Sequence, residues 1–361
     1  MRILHVYKDY YPVLGGIENH IRVLAEAHAA GGHQVIVLVC DPGPRTQVSE
    51  VNGVRVIKAG RLGTAASMPL SPSQWVSLMR LRPEIVHVHS PYPLGEVGAW
   101  LLKPRVPLAV TYHSDVVRQQ GWLKVYGPLL KRVLRRADRI LPTSPRYLAS
   151  SPWLSPVRDR CTVVPLGVDH RRFTPPATPF AGPPTLLFVG RLRYYKGLDT
   201  LLRAMPMLPA DVRLRVVGTG PMRGEWEALV RDLSLESRVD FAGEVSDAAL
   251  PAQYRHATLF VLPANARSEA YGMVLTEAMA SGLPCVTTEV GTGTSWVVQD
   301  GVTGAVVPPS SPDALAAAIS GLVGDPVRLR AMGTAARARV AAELTQDLMV
   351  ERVMAIYEAL V

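Results

Sequence analysis

Residues Met1–Cys40 read MRILHVYKDYYPVLGGIENHIRVLAEAHAAGGHQVIVLVC, and this stretch decides the fold. Arg2–Tyr7 is a short apolar segment with the length of a buried strand, and Gln34–Cys40 is a second one. Between them lie a Pro/Gly turn and a helical pattern over Ile17–Ala30, which ends at Gly31-Gly32. Strand, helix and strand in this order predict a βαβ unit with two parallel strands.

The same rhythm continues through the rest of the chain. In the first half, strands are predicted at Ile85–His89, Leu108–Tyr112, Arg139–Pro142 and Thr162–Pro165, with helices at Leu94–Leu102 and Leu123–Ala137. In the second half, strands are predicted at Leu186–Gly190, Leu214–Val217, Val239–Ala242, Leu259–Leu262 and Cys285–Thr287, and closing helices at Pro312–Leu322, Pro326–Glu343 and Gln346–Leu360. The pattern indicates an α/β protein with two doubly wound parallel sheets, whose ligand-binding edges we expect to face each other across a cleft.

A proline-rich segment separates the two series. Residues 173–184 contain five prolines in twelve positions, which forbids a helix and favours a semi-rigid linker. The length of 361 residues suits two domains. We therefore predict an N-terminal domain over 1–172, a linker over 173–184 and a C-terminal domain over 185–343. The last helix, 344–361, is expected to pack back on the N-terminal domain.

The charge of the chain is unevenly distributed. Lys and Arg number 39 against 30 Asp and Glu, for a formal net charge of +9. Residues 1–176 carry 23 basic and 11 acidic side chains, whereas residues 177–361 carry 16 and 19. A basic half beside a mildly acidic half indicates that the first half meets something anionic. With 48% hydrophobic residues, the composition excludes a wholly disordered chain.

The cysteine content and the lengths of the apolar runs indicate the cellular compartment of the protein. The three cysteines, Cys40, Cys161 and Cys285, are far apart and form no CxxC pair, which suits a reducing cytoplasm. The N-terminus turns polar at Lys8-Asp9, too early for a signal-peptide core, and no apolar run reaches the roughly 18 residues of a membrane span. We therefore expect a cytoplasmic protein.

Residues 123–139 form a basic amphipathic helix in this prediction. Apolar residues recur at helical spacing, and the polar face carries the basic residues Lys124, Lys131, Arg132, Arg135 and Arg136. Such a helix can lie on anionic lipid, which would place the protein peripherally on the inner face of the membrane. A core-packed helix with a solvated face is the alternative. Nucleic acid is not expected as a partner, because aromatic residues do not alternate with the basic ones.

Two glycine-rich turns follow predicted strands. Gly15-Gly16 opens the first helix, where bare backbone would let a phosphate reach helix-end amides, although an ordinary turn fits equally well. Gly218-Thr-Gly220 is not a full dinucleotide fingerprint, because position 223 is Arg223. It fits mononucleotide packing or a plain turn.

The second half holds a stronger constellation. Arg191 and Lys196-Gly197 lie just beyond a strand end. The guanidinium of Arg191 can bind two oxygens at once and the ammonium of Lys196 adds a compact charge, and together they suit a diphosphate. Glu269 and Glu277 are eight residues apart, about 12 Å along a helix, against the roughly 5–5.5 Å of a retaining glycosidase pair. They are better placed to bind hydroxyls at opposite ends of an elongated polyhydroxylated ligand.

These motifs together resemble a known family. Glu269-x7-Glu277, Arg191 with Lys196-Gly197, Gly15-Gly16 and the segment Thr111–Asp115 occur in the order typical of family 4 glycosyltransferases. These are retaining enzymes of the GT-B fold. The resemblance covers essentially the whole chain, and the glutamate block followed by Gly-Leu-Pro is its most specific part. It implies transfer of a hexose from a nucleotide-diphosphate sugar to a glycan, lipid-linked or small-molecule acceptor.

The resemblance also implies roles for individual residues. Glu269 would bind hydroxyls of the donor sugar, Glu277 the donor ribose, and Arg191 and Lys196 the diphosphate. His113 matches the active-site histidine and, with Glu269, Arg191 and Lys196, forms the expected catalytic set. The expected donor-binding set is Gly15, Gly16, Gly218, Glu244, Val245, Tyr271, Gly272, Met273, Val274 and Glu277. Residues expected on the acceptor side are Asp9, His20, Asp115 and Arg118, for which turn and capping roles fit equally well.

The expected chemistry needs no metal and no side-chain nucleophile. The sequence contains no Asp-x-Asp motif, so the metal ligands of the other large glycosyltransferase fold are missing. His87 and His89 share a strand face at i and i+2 but show no evident third metal ligand, so strand packing or acceptor contact is favoured. We expect no cofactor, because the nucleotide sugar is a substrate.

Two other functions compete with transfer, and the donor is open. A nucleotide-sugar 2-epimerase of the same fold and a non-catalytic nucleotide-sugar-binding protein are the alternatives. The block around Tyr271–Val274 and the segment Glu289–Trp296 resemble bacterial mannosyl- and rhamnosyl-type transferases of surface polysaccharide synthesis. This favours GDP-mannose, with UDP-hexoses next.

Overall fold

The structure, a computed structural model, describes residues 1–13, 15–65, 68–116, 120–177 and 182–361. The chain divides into two compact units, the first made of Met1–Pro165 and Asp347–Val361 and the second of Leu166–Gln346. The N-terminal stretch of the first unit therefore ends at Pro165, whereas the sequence predicts the boundary at 172. Leu166, Val168 and Phe173 are buried in the core of the second unit, so the chain has entered that unit before the proline-rich segment begins. Positions 178–181 of the predicted linker lie outside the described residues.

The first unit is built on a seven-stranded sheet. Its strands are β1 (Arg2–Val6), β2 (Gln34–Cys40), β3 (Gln47–Val51), β4 (Val54–Ala59), β7 (Ile85–Ser90), β8 (Leu108–Tyr112) and β9 (Arg139–Pro142). A separate two-stranded antiparallel sheet consists of β5 (Gly63–Ala65) and β6 (Met68–Leu70). The sheet order is β3-β4-β2-β1-β7-β8-β9. All neighbours pair in parallel except β3 and β4. The central strands β1, β7 and β8 are buried at every residue except Arg2, as expected for strands covered on both faces.

Helices join the parallel strands of this unit. They are α1 (Gly16–Ala30), α2 (Pro72–Arg80), α3 (Pro93–Leu102), α4 (Gln120–Arg136) and α5 (Pro145–Ser150). Ser71 and Ser144 cap α2 and α5 by accepting hydrogen bonds from the amides of Gln74 and Tyr147, and a proline follows each cap. These caps determine the residue at which each helix begins.

The second unit repeats the doubly wound plan with a six-stranded, fully parallel sheet. Its strands are β10 (Thr185–Val189), β11 (Arg213–Val217), β12 (Val239–Gly243), β13 (Leu259–Leu262), β14 (Cys285–Thr288) and β15 (Gly304–Val307), in the order β12-β11-β10-β13-β14-β15. Its helices are α6 (Leu198–Ala204), α7 (Arg223–Asp232), α8 (Leu250–Arg255), α9 (Met273–Ala280), α10 (Thr294–Val297), α11 (Pro312–Val323) and α12 (Pro326–Glu343). The order reverses between β10 and β13, so these two neighbouring strands mark the topological switch point.

The last helix of the chain, α13 (Gln346–Glu358), belongs to the first unit from Asp347 onward. Tyr357 is fully buried, and its hydroxyl lies 2.5 Å from Nδ1 of His87 on β7. The crossing from the second unit is held by backbone hydrogen bonds between Val168 and its neighbours Leu344 and Gln346.

Several elements differ from the sequence prediction, and β4 and α2 are among those that it missed. The predicted strand Thr162–Pro165 is wrong, since only a single bridge joins Cys161 to Ile140 and two further backbone hydrogen bonds tie Thr162 and Val164 to β9. β3 was not predicted because its residues are largely exposed and polar, so no apolar run marks it. β15 begins with Gly304 and is only four residues long, which hides it from periodicity.

The basic helix runs over Gln120–Arg136, earlier than the predicted 123–139. Its apolar residues Tyr126, Leu130, Val133 and Leu134 are buried in the first unit. The basic residues Lys124, Lys131, Arg132 and Arg135 are exposed, whereas Arg136 is partly buried and pairs with Asp138. The apolar face therefore cannot enter a lipid layer while the unit is folded, and only the basic face is available for contact. None of the described helices is long and apolar enough to cross a membrane.

Two helical glycines in the second unit predict opposite effects of the same substitution. A Cβ on Gly333 of α12 would lie 2.3 Å from the carbonyl oxygen of Gly282, whereas a Cβ on Gly321 of α11 would have no neighbour within 4 Å. Gly333→Ala should destabilise the protein by about 1–3 kcal/mol, because α12 must move. Gly321→Ala should stabilise it by about 0.5–1 kcal/mol, because alanine loses less backbone freedom on folding. Thermal unfolding followed by circular dichroism measures both, and a shift in the same direction would contradict this packing.

Candidate active site

A buried ion pair lies beyond the carboxyl ends of β10 and β13. The Nζ of Lys196 is 2.6 Å from a carboxylate oxygen of Glu269, and the two side chains are only 11% and 10% exposed. Lys196 ends a 3₁₀ turn, Tyr194–Lys196, in the loop after β10, and Glu269 lies in the loop after β13. Because these strands flank the switch point, the pair occupies the position where open α/β sheets bind ligands.

The electrostatics of the pair keep the lysine charged. Burial alone would lower the pKa of Lys196, but the carboxylate of Glu269, helped by Tyr195 and more weakly by Glu277, outweighs it and raises the pKa above its ordinary value. The ammonium is therefore a fixed cation at neutral pH. A positive group held in a largely water-excluded loop is suited to stabilise negative charge that develops on a bound ligand.

Glu277 lies one helical turn inside α9, and its carboxylate has a partner that the sequence did not reveal. The hydroxyl of Tyr254, on α8, donates a 2.6 Å hydrogen bond to it. Burial raises the pKa of Glu277 to about 7, while the hydrogen bond from Tyr254 and the charge of Arg172 act in the opposite direction. Tyr254 carries no spacing signal relative to Glu277, since the two residues come from different helices.

The loop that begins α9 is held rigidly. Gly272 precedes the helix with a φ of +80°, a left-handed conformation that glycine adopts without strain. The preceding Tyr271 is buried and donates its hydroxyl to the carbonyl of Leu166 at 3.0 Å. Met273 and Val274 open the helix and are partly buried. Their backbone amides are among the helix-end N–H groups that lack an intrahelical partner and favour an anion.

The loop after β14 supports Glu269 from behind. Thr292 donates its hydroxyl to the Glu269 carbonyl at 2.7 Å, and the Gly293 amide donates to the Ala270 carbonyl at 2.8 Å. These contacts order the backbone around the glutamate. The polar segment 292–295 therefore has a structural role at Thr292 and Gly293.

The other predicted donor residues of the second unit lie on neighbouring loops. Arg191 is exposed directly after β10. Gly218 has a φ of +126° and packs against the backbone of Gly190, because a Cβ on Gly218 would lie 2.2 Å from the Gly190 carbonyl oxygen. The loop after β11 therefore lies next to the loop after β10. Glu244 is exposed just beyond β12, and Val245 packs against the core of the unit. All four thus follow carboxyl ends of strands of the same sheet.

In the first unit, His113 follows β8 and is nearly fully buried. Its amide donates to the Ser90 carbonyl at 3.0 Å, and its Nε2 lies 3.3 Å from Nδ1 of His89. The ring of His20, from α1, stands edge-on to His113 with centroids 5.0 Å apart. Burial lowers the pKa of His20 to about 3 and that of His113 well below its ordinary value, so both rings are neutral at neutral pH. His20 and His89 are thus neighbours of the predicted catalytic histidine.

The remaining predicted residues of this unit have mixed outcomes. Asp115 accepts hydrogen bonds from the hydroxyls of Tyr112 and Ser151, which ties the segment after β8 to α5 and matches the turn role considered above. Asp9 is partly buried beyond the end of β1. Gly15 and Gly16 form the uncapped start of α1. Arg118 lies outside the described residues.

The two halves of the chain match two family models. The model described as Glycosyltransferase Family 4 matches residues 14–172, and the model described as Glycosyl transferases group 1 matches residues 171–339. Together they cover most of both structural units.

Individual proteins show the same relationship along the whole chain. The D-rhamnosyltransferase WbpZ of Pseudomonas aeruginosa is 37% identical over 94% of this chain and 91% of its own length. The O-antigen chain mannosyltransferase C of Escherichia coli is 33% identical over 100% of this chain and 99% of its own.

Solved structures agree on the fold. The sucrose-phosphate synthase of Thermosynechococcus elongatus superposes with a TM-score of 0.82 at 26% identity, covering 99% of this chain and 98% of that one. The Anabaena protein HepE in complex with UDP superposes with a TM-score of 0.79 at 19% identity over the whole of both chains. The chain belongs to the family 4 glycosyltransferases of the mannosyl- and rhamnosyl-type, and its two units have the GT-B fold.

Proposed function

We propose that this glycosyltransferase moves a hexose from a nucleotide-diphosphate sugar to a hydroxyl of a glycan or lipid-linked acceptor, with retention of the anomeric configuration. GDP-mannose is the favoured donor. The observation that carries the proposal is the buried Lys196–Glu269 pair at the switch point of the second unit, where a cation and a hydroxyl-binding carboxylate meet. A donor that joins a diphosphate to a sugar needs both groups side by side.

The arrangement assigns one part of the donor to each group. Lys196 and Arg191 bind the diphosphate, helped by the amides that open α9. Glu269 accepts hydrogen bonds from sugar hydroxyls, and Glu277 accepts them from the ribose. The loop residues Glu244 and Val245 lie beyond β12, where the resemblance places the base. His113 contacts the transferred sugar in this proposal, again as the resemblance implies.

The reaction breaks one bond and forms another at the same carbon. The bond between the anomeric carbon and the phosphate oxygen lengthens, so positive charge grows on the sugar while negative charge grows on the diphosphate. Lys196, Arg191 and the helix-end amides stabilise that negative charge. The acceptor hydroxyl attacks from the face that the diphosphate leaves, and its proton passes to a phosphate oxygen. The products are a glycoside and a nucleoside diphosphate, and no metal takes part in this proposal.

Relatives support the choice of donor and acceptor. The two named above are a D-rhamnosyltransferase and an O-antigen chain mannosyltransferase, which favours a GDP-linked sugar and a surface-polysaccharide acceptor. The UDP complex of HepE keeps a UDP-hexose as the second candidate. If the acceptor is lipid-linked, the exposed basic face of α4 would contact the inner face of the membrane by charge alone.

The donor preference predicts a stability response. GDP-mannose should raise the thermal unfolding midpoint more than UDP-, ADP- or dTDP-hexoses at the same concentration, because the ligand with the lowest Kd stabilises the folded state most. A ligand present at 100 times its Kd adds about 2.7 kcal/mol to the free energy of unfolding. A larger shift with a UDP-hexose would overturn the choice of base. Incubation of the preferred donor without acceptor, followed by NMR, should show no isomerised nucleotide sugar, and its appearance would favour an epimerase.

The ion pair predicts a loss of turnover. Glu269→Gln keeps the shape of the side chain but removes its charge, so Lys196 loses the partner that fixes it and the sugar loses its strongest acceptor. We expect kcat to fall by about 10²–10³-fold, the range seen when one preorganised electrostatic group is removed. Glu343→Gln, which neutralises a half-exposed partner of Arg339, is the matched control and should be near normal. Equal turnover in both variants would contradict the assignment.

The raised pKa of Glu277 predicts a pH dependence. If the carboxylate binds the ribose, kcat/KM for the donor should rise between pH 6 and 8 with an apparent pKa of about 7. The dependence should vanish in Glu277→Gln. Tyr254→Phe should move the apparent pKa upward, because the hydrogen bond from Tyr254 stabilises the charged form. An unchanged profile in both variants would contradict a ribose role.

The same shift has a consequence for stability. The pKa of Glu277 is higher in the folded protein than the ordinary value of 4.5, so the folded state binds the proton more tightly. Its contribution is fully present below pH 4.5 and is lost as the pH rises towards 7. Urea unfolding of Glu277→Gln should lack this loss, which offers a check on the pKa that is independent of activity.

A further inference from the structure

Six buried histidines gather on one side of the sheet of the first unit. The chain has nine histidines in all, so most of them lie in this one cluster. One comes from β1, two from β7 and one from the loop after β8, and α1 contributes the other two. The members are His5, His20, His28, His87, His89 and His113. Neighbouring rings are 4.4 to 6.5 Å apart between centroids. Hydrophobic packing alone does not favour imidazoles here, because each brings two polar ring nitrogens into the core.

We propose that three of them, His20, His89 and His113, bind one divalent transition-metal cation of the Zn²⁺ class. Each offers a ring nitrogen, and these nitrogens all lie within 4.8 Å of one another. Nδ1 of His89 and Nε2 of His113 are already 3.3 Å apart. Two nitrogens bound tetrahedrally to zinc at 2.0–2.1 Å are about 3.3 Å apart, so this pair has the required spacing.

His20 supplies the independent indication of a ligand. It is 6% exposed, and among the described residues neither of its ring nitrogens has a hydrogen-bond partner. Leaving a buried polar group unsatisfied costs about 1–3 kcal/mol, so a native protein normally provides a partner. The ring of His20 lies edge-on to both His89 and His113, with centroids 5.5 and 5.0 Å apart, so a small rotation brings a nitrogen towards theirs.

A hydrogen-bond partner for the other ring nitrogen of His89 is also present. Nε2 of His89 lies 3.1 Å from Nδ1 of His5, so His89 can donate there while its Nδ1 binds the cation. A metal-binding histidine almost always donates from its other nitrogen in this way. The alternative group His5, His87 and His89 is less suited, because both ring nitrogens of His87 are already bonded to Tyr357 and Thr111.

Three histidines leave the fourth tetrahedral position open. Zinc sites with three protein ligands and one open position bind water or a small ligand there. His89 is the penultimate residue of β7 and His113 directly follows β8, so the site lies at the carboxyl edge of the sheet. This step rests on the proposed function: if His113 contacts the transferred sugar, a bound cation withdraws it, and the metal inhibits transfer.

The test uses Co²⁺ as a spectroscopic probe on the full-length protein after treatment with EDTA. We expect visible d–d bands of tetrahedral Co²⁺ that saturate at one equivalent per chain and disappear when Zn²⁺ is added. His20→Ala should weaken Co²⁺ binding by more than 100-fold, since loss of a second-shell partner alone costs about 10–100-fold. Spectra of octahedral Co²⁺ only, or no stoichiometric binding, would overturn the site.

His28→Ala is the matched control, because His28 is also a buried histidine of α1 but lies outside the proposed ligand set. It should bind Co²⁺ as the wild type does. Equal affinity in His20→Ala and the wild type would overturn the choice of ligands, and circular dichroism shows whether each variant is folded. Inhibition of transfer by Zn²⁺ is measured separately. Stoichiometric binding without inhibition would support the site and count against the proposed contact of His113 with the sugar.

Discussion

A parallel sheet brings the carboxyl ends of all its strands to one edge, and this constraint brings together the main candidate functional groups of each unit. In the second unit, the loops after β10 and β13 carry Lys196 and Glu269, which are distant in sequence but meet at the switch point. In the first unit, His89 and His113 come to the same edge from β7 and the loop after β8. Lys196 and Glu269 therefore lie on loops, whereas His89 lies near the end of a strand and Glu277 on the helix that follows the loop of Glu269.

The ion pair shows why these loops must be held rigidly. Burying an ammonium and a carboxylate costs several kcal/mol for each ion, and their attraction offsets this only when the geometry is good. Thr292 fixes the backbone of Glu269, and the 3₁₀ turn fixes that of Lys196. A cation that is already desolvated and positioned needs little reorganisation when negative charge develops on a leaving group. The support from the loop after β14 is therefore part of the electrostatics of the site.

Much of the fold could be predicted from the sequence, because buried parallel strands are continuous apolar runs. The strands Gln34–Cys40, Leu108–Tyr112 and Leu259–Leu262 have the bounds that the apolar pattern predicted. Long-range partners could not be predicted in this way. Nothing in the spacing of Tyr254 and Glu277 shows that they share a hydrogen bond. Likewise, nothing in the sequence shows that His20, on α1, lies beside His89. Motif spacing identifies residue types suited to a chemistry, whereas the contacts that tune their pKa values arise only when distant elements pack together.

The histidine cluster is the part of the first unit that folding stability explains least. An aliphatic core at these positions would gain hydrophobic stabilisation without leaving ring nitrogens unsatisfied. Instead, burial lowers the pKa of His5, His87 and His89 well below the ordinary value, which keeps these rings neutral. In addition, Nε2 of His5 has no hydrogen-bond partner among the described residues. Structural features that cost stability persist where function requires them. A neutral, preorganised set of nitrogens at the edge of the sheet is the form in which imidazole binds a cation or orients a substrate hydroxyl, and either role would offset that cost.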